Sequence, residues 1–171
     1  MDLLVRAAAG QTTGRASLGD AVFACALGRS GIVAEKVEGD GGTPVGSFPL
    51  RQVLFRPDRM KLVETRLPCR ALSPDDGWCD DPSDWNYNRA ISRPYRASHE
   101  RMWREDHLYD IVAVIGHNDA PVVPGKGSAV FLHLAHNDYA PTDGCIAFKS
   151  GDLIQILAAM TAADRVIVAL A

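Results

Sequence analysis

Residues 127–148 read GSAVFLHLAHNDYAPTDGCIAF, and the order of elements in this stretch decides the fold. A β-type apolar run from Ser128 to Leu134 delivers His133. A turn-rich loop follows, and Gly144-Cys145 opens a second apolar run. Cysteine attacks as its thiolate, so an imidazole that takes the proton is the simplest activator. Gly144 lets the backbone approach a substrate, and its N–H with that of Cys145 is predicted to form an oxyanion hole.

The flanking segments carry the same β pattern. LLVRAA, AVFACAL and SFPLRQVLF are short apolar runs broken by glycine, with EGDGGTPVG as a turn cluster before the last. CRAL is a further candidate strand, and YDIVAVIGHN and SAVFLHLA are apolar enough to be central strands. Between Ser73 and His107 regular periodicity disappears. That polar-aromatic stretch reads as a substrate-facing lid, with one short helix near SHERMWRED capped by Ser98. Ser150 is predicted to cap a helix, SGDLIQILAAMTAA, whose Leu153, Ile156, Leu157 and Met160 share one face. RVIVAL is the last strand. The reading is a single mainly β domain, residues 1–171, with one helix near the C-terminus and a long polar loop.

Bulk composition agrees with a globular chain. The 171 residues are 47% hydrophobic and 23% charged, with a net charge of −3. That balance gives no reason to expect nucleic acid or an anionic membrane as partner. No apolar run approaches the ~18 residues of a membrane span. The N-terminus lacks a basic region followed by an apolar one, so no export signal is visible. The cysteines form no CxxC pair, which argues against a zinc knuckle or a thioredoxin-like site. Cys25 reads as a buried structural thiol, and Cys69 and Cys79 as a candidate disulfide in an oxidising compartment.

With GDGGTPVGSFPL at 39–50, IGHN at 115–118 and GSAVFLHLAHNDYAPTDGCIAF at 127–148, the chain resembles the YkuD-type L,D-transpeptidase catalytic domain. The likeness runs from about Glu38 to the C-terminus. It implies a β-sandwich or barrel, Cys145 as nucleophile, His133 as base and no cofactor or metal. It also implies peptidoglycan stem peptides as substrate, acylation by carbapenem β-lactams, and a place in the periplasm or cell envelope. The same site fits an L,D-carboxypeptidase or endopeptidase, and the fold alone fits a cell-wall-binding module. Family sites often read Ser-His-Gly-Cys with an arginine two residues on. Here Thr142-Asp143-Gly144-Cys145 is followed by Ala147, so Arg89, Arg101 and Arg104 in the polar loop are candidates for the missing cation.

Other residues are candidates for the same chemistry. His136 competes as base, but if the strand continues it points away from the face of His133. His117 ends a neighbouring strand and, with Asn118, is placed at the pocket as a substrate-binding candidate. His99 and His107 read as solvated. Asp143 is a substrate-binding candidate too, although a carboxylate there would raise the thiol pKa unless it points away or pairs. GDGGTPVGSF lacks the Gly-Lys-Ser/Thr ending of a phosphate loop and reads as a hairpin turn at the rim of the sheet. Trp78, Trp85, Tyr87 and Trp103 either stack on substrate or form the loop's own core.

Overall fold

The structure is a computed structural model that describes residues 1–61 and 64–171. Its strands are β1 (Leu3–Ala7), β2 (Thr13–Leu18), β3 (Ala21–Ala26), β4 (Ile32–Val33), β5 (Thr43–Pro44), β6 (Gly46–Phe55) and β7 (Cys69–Ala71). They continue as β8 (Asp76–Cys79), β9 (Ala90–Ser92), β10 (His99–Arg101), β11 (Ile111–Ile115), β12 (Phe131–Leu134), β13 (Ile146–Phe148) and β14 (Arg165–Leu170). Helix α1 (Ser150–Ala159) precedes β14. The chain is mainly β with one helix among the described residues, as the apolar periodicity predicts.

The large sheet runs β11-β12-β13-β3-β2-β1-β14-β6-β7, and β11 also pairs with β6, so the sheet closes on itself like a barrel. Ten residues long, β6 serves β14 through its first half and β11 through its second. Closure is thinnest between β13 and β3, which share a single pair, Ala147 with Ala26.

Strand alternation then sorts side chains into two cores. Along β11, Ile111, Ala113 and Ile115 join the barrel interior, while Val112 and Val114 face outward into a second cluster. In the same way Leu132, Leu134, Ile146 and Phe148 point in, and Phe131 and Cys145 point out. All five residues of β11 are buried, which is why the run reads as unbroken apolar sequence. Leu153, Ile156, Leu157 and Met160 of α1 also enter the inner core. Burying such side chains contributes roughly 1.5–3 kcal/mol each.

The outer face of β11 to β13 is covered by the polar stretch. It is not a structureless loop: β10, β8 and β9 form a three-stranded antiparallel sheet. The helix expected near Ser98 is instead strand β10, whose Glu100 pairs with Trp78. Strands of three and four residues have too few alternations to show a period. Trp78 and Tyr87 are buried and Trp103 packs beneath Arg56, so most of the aromatic set is the cover's own core. Trp85 alone of the four is open, at 91% exposure.

Three further expectations change. Ser150 is the first residue of α1, not its cap; Lys149 holds that place without a side-chain bond, and Asp152 complements the helix dipole. Cys69 and Cys79 are both free, as are the other two cysteines. The segment after Gly39 does not make a hairpin, because β4 and β5 pair in parallel. No helix among the described residues is long and apolar enough to cross a membrane.

Candidate active site

Strands β12 and β13 are parallel neighbours, with His133 opposite Ala147. Opposed residues point to the same face, and Cys145 lies two residues before Ala147, so His133 and Cys145 share the outer face. Two residues along a strand and one strand across put their Cα atoms about 8 Å apart. Both line one cavity of about 570 Å³.

The imidazole is held in a defined tautomer. His133 Nδ1 lies 2.8 Å from the Leu134 carbonyl oxygen, which can only accept, so Nδ1 carries the proton and Nε2 keeps its lone pair. The Tyr109 ring meets the imidazole edge-on, 5.2 Å between centroids. Burial holds the imidazole down to about 4, against the pull of the Leu134 carbonyl. A neutral base with a free Nε2 results.

The thiol is held as a thiol. Cys145 Sγ donates to the Ala129 carbonyl at 3.2 Å and accepts the Phe131 N–H at 3.3 Å. Burial pushes it up to about 12, with Glu100 adding to the rise, while the Phe131 N–H, Lys36 and Arg104 act in the opposite sense. The Cys145 carbonyl accepts hydroxyls from Thr142 at 2.7 Å and Thr43 at 3.4 Å. Thr43 of the Thr-Pro element at 43–44 thus pins the backbone of the Gly144-Cys145 turn.

The cover supplies much of the remaining wall. Asp80, Glu100, Arg104 and Tyr109 line the cavity from one side, and Lys36 and Glu38 from another. Tyr109 donates its hydroxyl to Glu100 at 2.5 Å. Burial raises the Glu100 carboxyl, with the Tyr109 bond opposing. Arg104 sits 5.1 Å over the Tyr109 ring and spends two donors on Asp106. One oxygen of Asp80 is buried without a hydrogen-bond partner.

Of the residues singled out from sequence, Cys145, His133, Asp143, Arg104 and His136 line this cavity, with Gly144 in the turn directly before Cys145. Arg89 and His117 line a separate cavity of about 280 Å³. His117 Nε2 bonds the Lys126 carbonyl at 2.9 Å, and burial lowers its pKa. Asn118 braces the loop before β12 through the Val123 and Gly127 carbonyls. None of these three faces Cys145 from its cavity. Arg101 is exposed on β10. His136 follows the end of β12, so alternation does not reach it; it stands exposed at the cavity rim against His107. His107 is tied to the Ala135 carbonyl at 3.0 Å and His99 to that of Ala97 at 2.7 Å, so neither is simply solvated.

At the Thr142–Cys145 turn the structure selects one of the alternatives left open for Asp143 and alters the expectation for Gly144. Asp143 is 90% exposed and pairs with Arg29, which turns its charge from the thiol. The Gly144 N–H already donates to the Thr142 hydroxyl at 3.1 Å, which leaves Cys145 as the backbone donor of the pair. Sequence reading missed Lys36, Glu38, Asp80, Glu100, Tyr109 and Asn88. Asn88 bonds Trp78 and the Ala129 N–H through one oxygen, both at 3.0 Å, and so fixes the residue whose carbonyl holds Cys145. Its positive φ of 55° is a left-handed turn that asparagine tolerates, a faint signal in the dipeptide Tyr-Asn.

The family model for YkuD, the L,D-transpeptidase catalytic domain, matches residues 5–168. No curated protein and no solved structure matches the chain.

Proposed function

The chain belongs to the YkuD family of L,D-transpeptidase catalytic domains, and on that premise we propose that it cross-links peptidoglycan stem peptides through a thioester on Cys145. One observation carries the reading: Cys145 and a neutral His133 with its Nε2 free open onto the same cavity from the same face of paired strands.

Catalysis begins when the thiol leaves the Ala129 carbonyl and passes its proton to His133 Nε2. The thiolate attacks the carbonyl carbon of the diaminopimelate residue of a tetrapeptide stem; a C–S bond forms and the C=O π pair moves to oxygen. The tetrahedral intermediate collapses, the C–N bond breaks, and the departing D-alanine amine takes the proton from His133. The amine of a second stem then attacks the thioester carbonyl: the C–N bond forms, the C–S bond breaks, and the amine's proton passes by way of His133 to the leaving thiolate. In unliganded enzymes such hydrogen bonds are commonly long and tighten only with substrate. Asp80, Glu100 and Glu38 on the wall suit a donor or acceptor that carries an ammonium group. A peptidoglycan substrate accords with a place in the periplasm or cell envelope.

Hydrolysis by the same site is the second reading, because a cavity of about 570 Å³ is far larger than a water molecule needs. Incubation with purified tetrapeptide muropeptides, read by mass, decides between cross-linked dimers and tripeptides. A carbapenem adduct on the wild type that disappears in Cys145→Ala is the expected result. Absence of any adduct or product with wild type would defeat both readings.

A further inference from the structure

The cation at this site is not on the strand that follows the nucleophile. Ala147 is buried against Ala26, Ala135 and Tyr139 and brings no charge. Arg104 has committed two of its donors to Asp106, and its side chain is 34% exposed. Lys36 differs. It comes from the loop between β4 and β5, and its side chain is only 7% exposed.

Two glycines of the quoted stretch make its path. A Cβ on Gly127 would stand 2.8 Å from Lys36 Cγ and 3.0 Å from its Cε. A Cβ on Gly144 would stand 3.4 Å from Lys36 Nζ and 2.8 Å from the Gly42 carbonyl oxygen. The φ values of +94° and +128° favour glycine at both positions independently. Side chains at either would crowd the channel by which Lys36 reaches the residue before the nucleophile.

The ammonium has donors to spare. Its single partner among the described residues is Asp40, which also accepts the Val37 and Gly42 N–H groups at 2.8 Å each. An ammonium has three N–H donors, so two are left for the cavity that Lys36 lines. A buried charge with unspent donors is costly unless an acceptor arrives. Beside it the oxyanion hole lacks a donor, because the Gly144 N–H is spent on Thr142.

We propose that Lys36 Nζ is the second oxyanion donor, closing with the Cys145 N–H on the carbonyl oxygen of the scissile bond. This rests on the acyl-transfer reading above. As the C–S bond forms, the π pair moves to that oxygen beside the ammonium; as the C–N bond breaks, the pair returns and Lys36 keeps its proton. Asp40 positions the ammonium without touching substrate.

The test compares Lys36→Met, which keeps the length of the side chain without its charge, with Asp40→Asn, which keeps the ammonium. Removing an oxyanion donor costs about 100- to 1000-fold in kcat, so the acylation rate of Lys36→Met should fall by that factor with KM little changed. Asp40→Asn should lose less than about tenfold. A purely structural ion pair would make the two variants fall together, and that result overturns the proposal. So does Lys36→Met acylating within about threefold of wild type. If Lys36→Met does not fold, the wild type decides. Its Lys36 ¹⁵Nζ resonance should shift when a peptide aldehyde forms a hemithioacetal on Cys145, and an unmoved resonance overturns the proposal. Wild type that never acylates refutes the acyl-transfer reading itself, a different outcome from wild type that acylates without need of Lys36.

Discussion

Acid should weaken this fold through His133, and the effect can be sized. In the folded chain burial holds the imidazole neutral down to about pH 4. In the unfolded chain it takes a proton below its ordinary value of about 6.5. Between those values the unfolded state binds more protons, so stability rises with pH. The contribution is fully present above about pH 6.5 and is lost as pH falls through about 4. Integrating the two titrations gives a loss of about 2 kcal/mol between pH 8 and pH 5, and about 3 kcal/mol by pH 4. Asp40, Asp58, Asp84, Asp106 and Asp164, all with lowered pKa values, add to acid loss at the low end. A second protein removes their share: His133→Gln keeps a donor for the Leu134 carbonyl and does not titrate. Urea unfolding of both proteins at pH 8, 6.5, 5 and 4 gives the difference directly. The wild type should lose about 2 kcal/mol more than the variant by pH 5. Parallel curves for the two proteins would refute a buried neutral imidazole at this position.

The thiol should behave as a thiol at rest: with a pKa near 12, the logarithm of the iodoacetamide rate at Cys145, read by site-resolved mass spectrometry, should climb from pH 6 to 9 without levelling. A plateau in that range would mean a preformed thiolate. Glu100→Gln removes a carboxylate that raises the thiol, so the alkylation curve should move to lower pH; an unmoved curve contradicts that placement. Gly144→Ala meets a positive φ and the Gly42 carbonyl at 2.8 Å, and should cost about 1–3 kcal/mol in chemical denaturation. Unchanged stability would mean that the turn relaxes freely.

Legibility followed length and period. The runs at β1, β3, β6, β11, β12 and β14 each have enough apolar residues to be read directly. Strand β2, TGRASL, was not read, because only Ala16 and Leu18 of its six residues are buried. The cover sheet failed for a related reason, and Ser98 before His-Glu-Arg invited a helix where β10 pairs with β8. His133 and Cys145 stood out because the proposed acyl transfer needs those residue types and the strand pattern places them side by side. Lys36, Glu100 and Asn88 did not, since a charged or amide residue in a polar stretch looks the same whether it faces solvent or a cavity.

By itself, then, the sequence determined the β class, the helix after β13 and the placement of His133 and Cys145 on or beside neighbouring strands, all of which depend on local period or residue type. Tertiary structure alone decided that the pair faces outward beneath a polar cover, that Asp143 turns to Arg29, and that Gly144 spends its N–H on Thr142. It also decided that Lys36, more than a hundred residues away along the chain, stands beside Gly144. The physical reason is that burial and pairing are set by what the closed sheet brings across, and sequence separation carries no record of that.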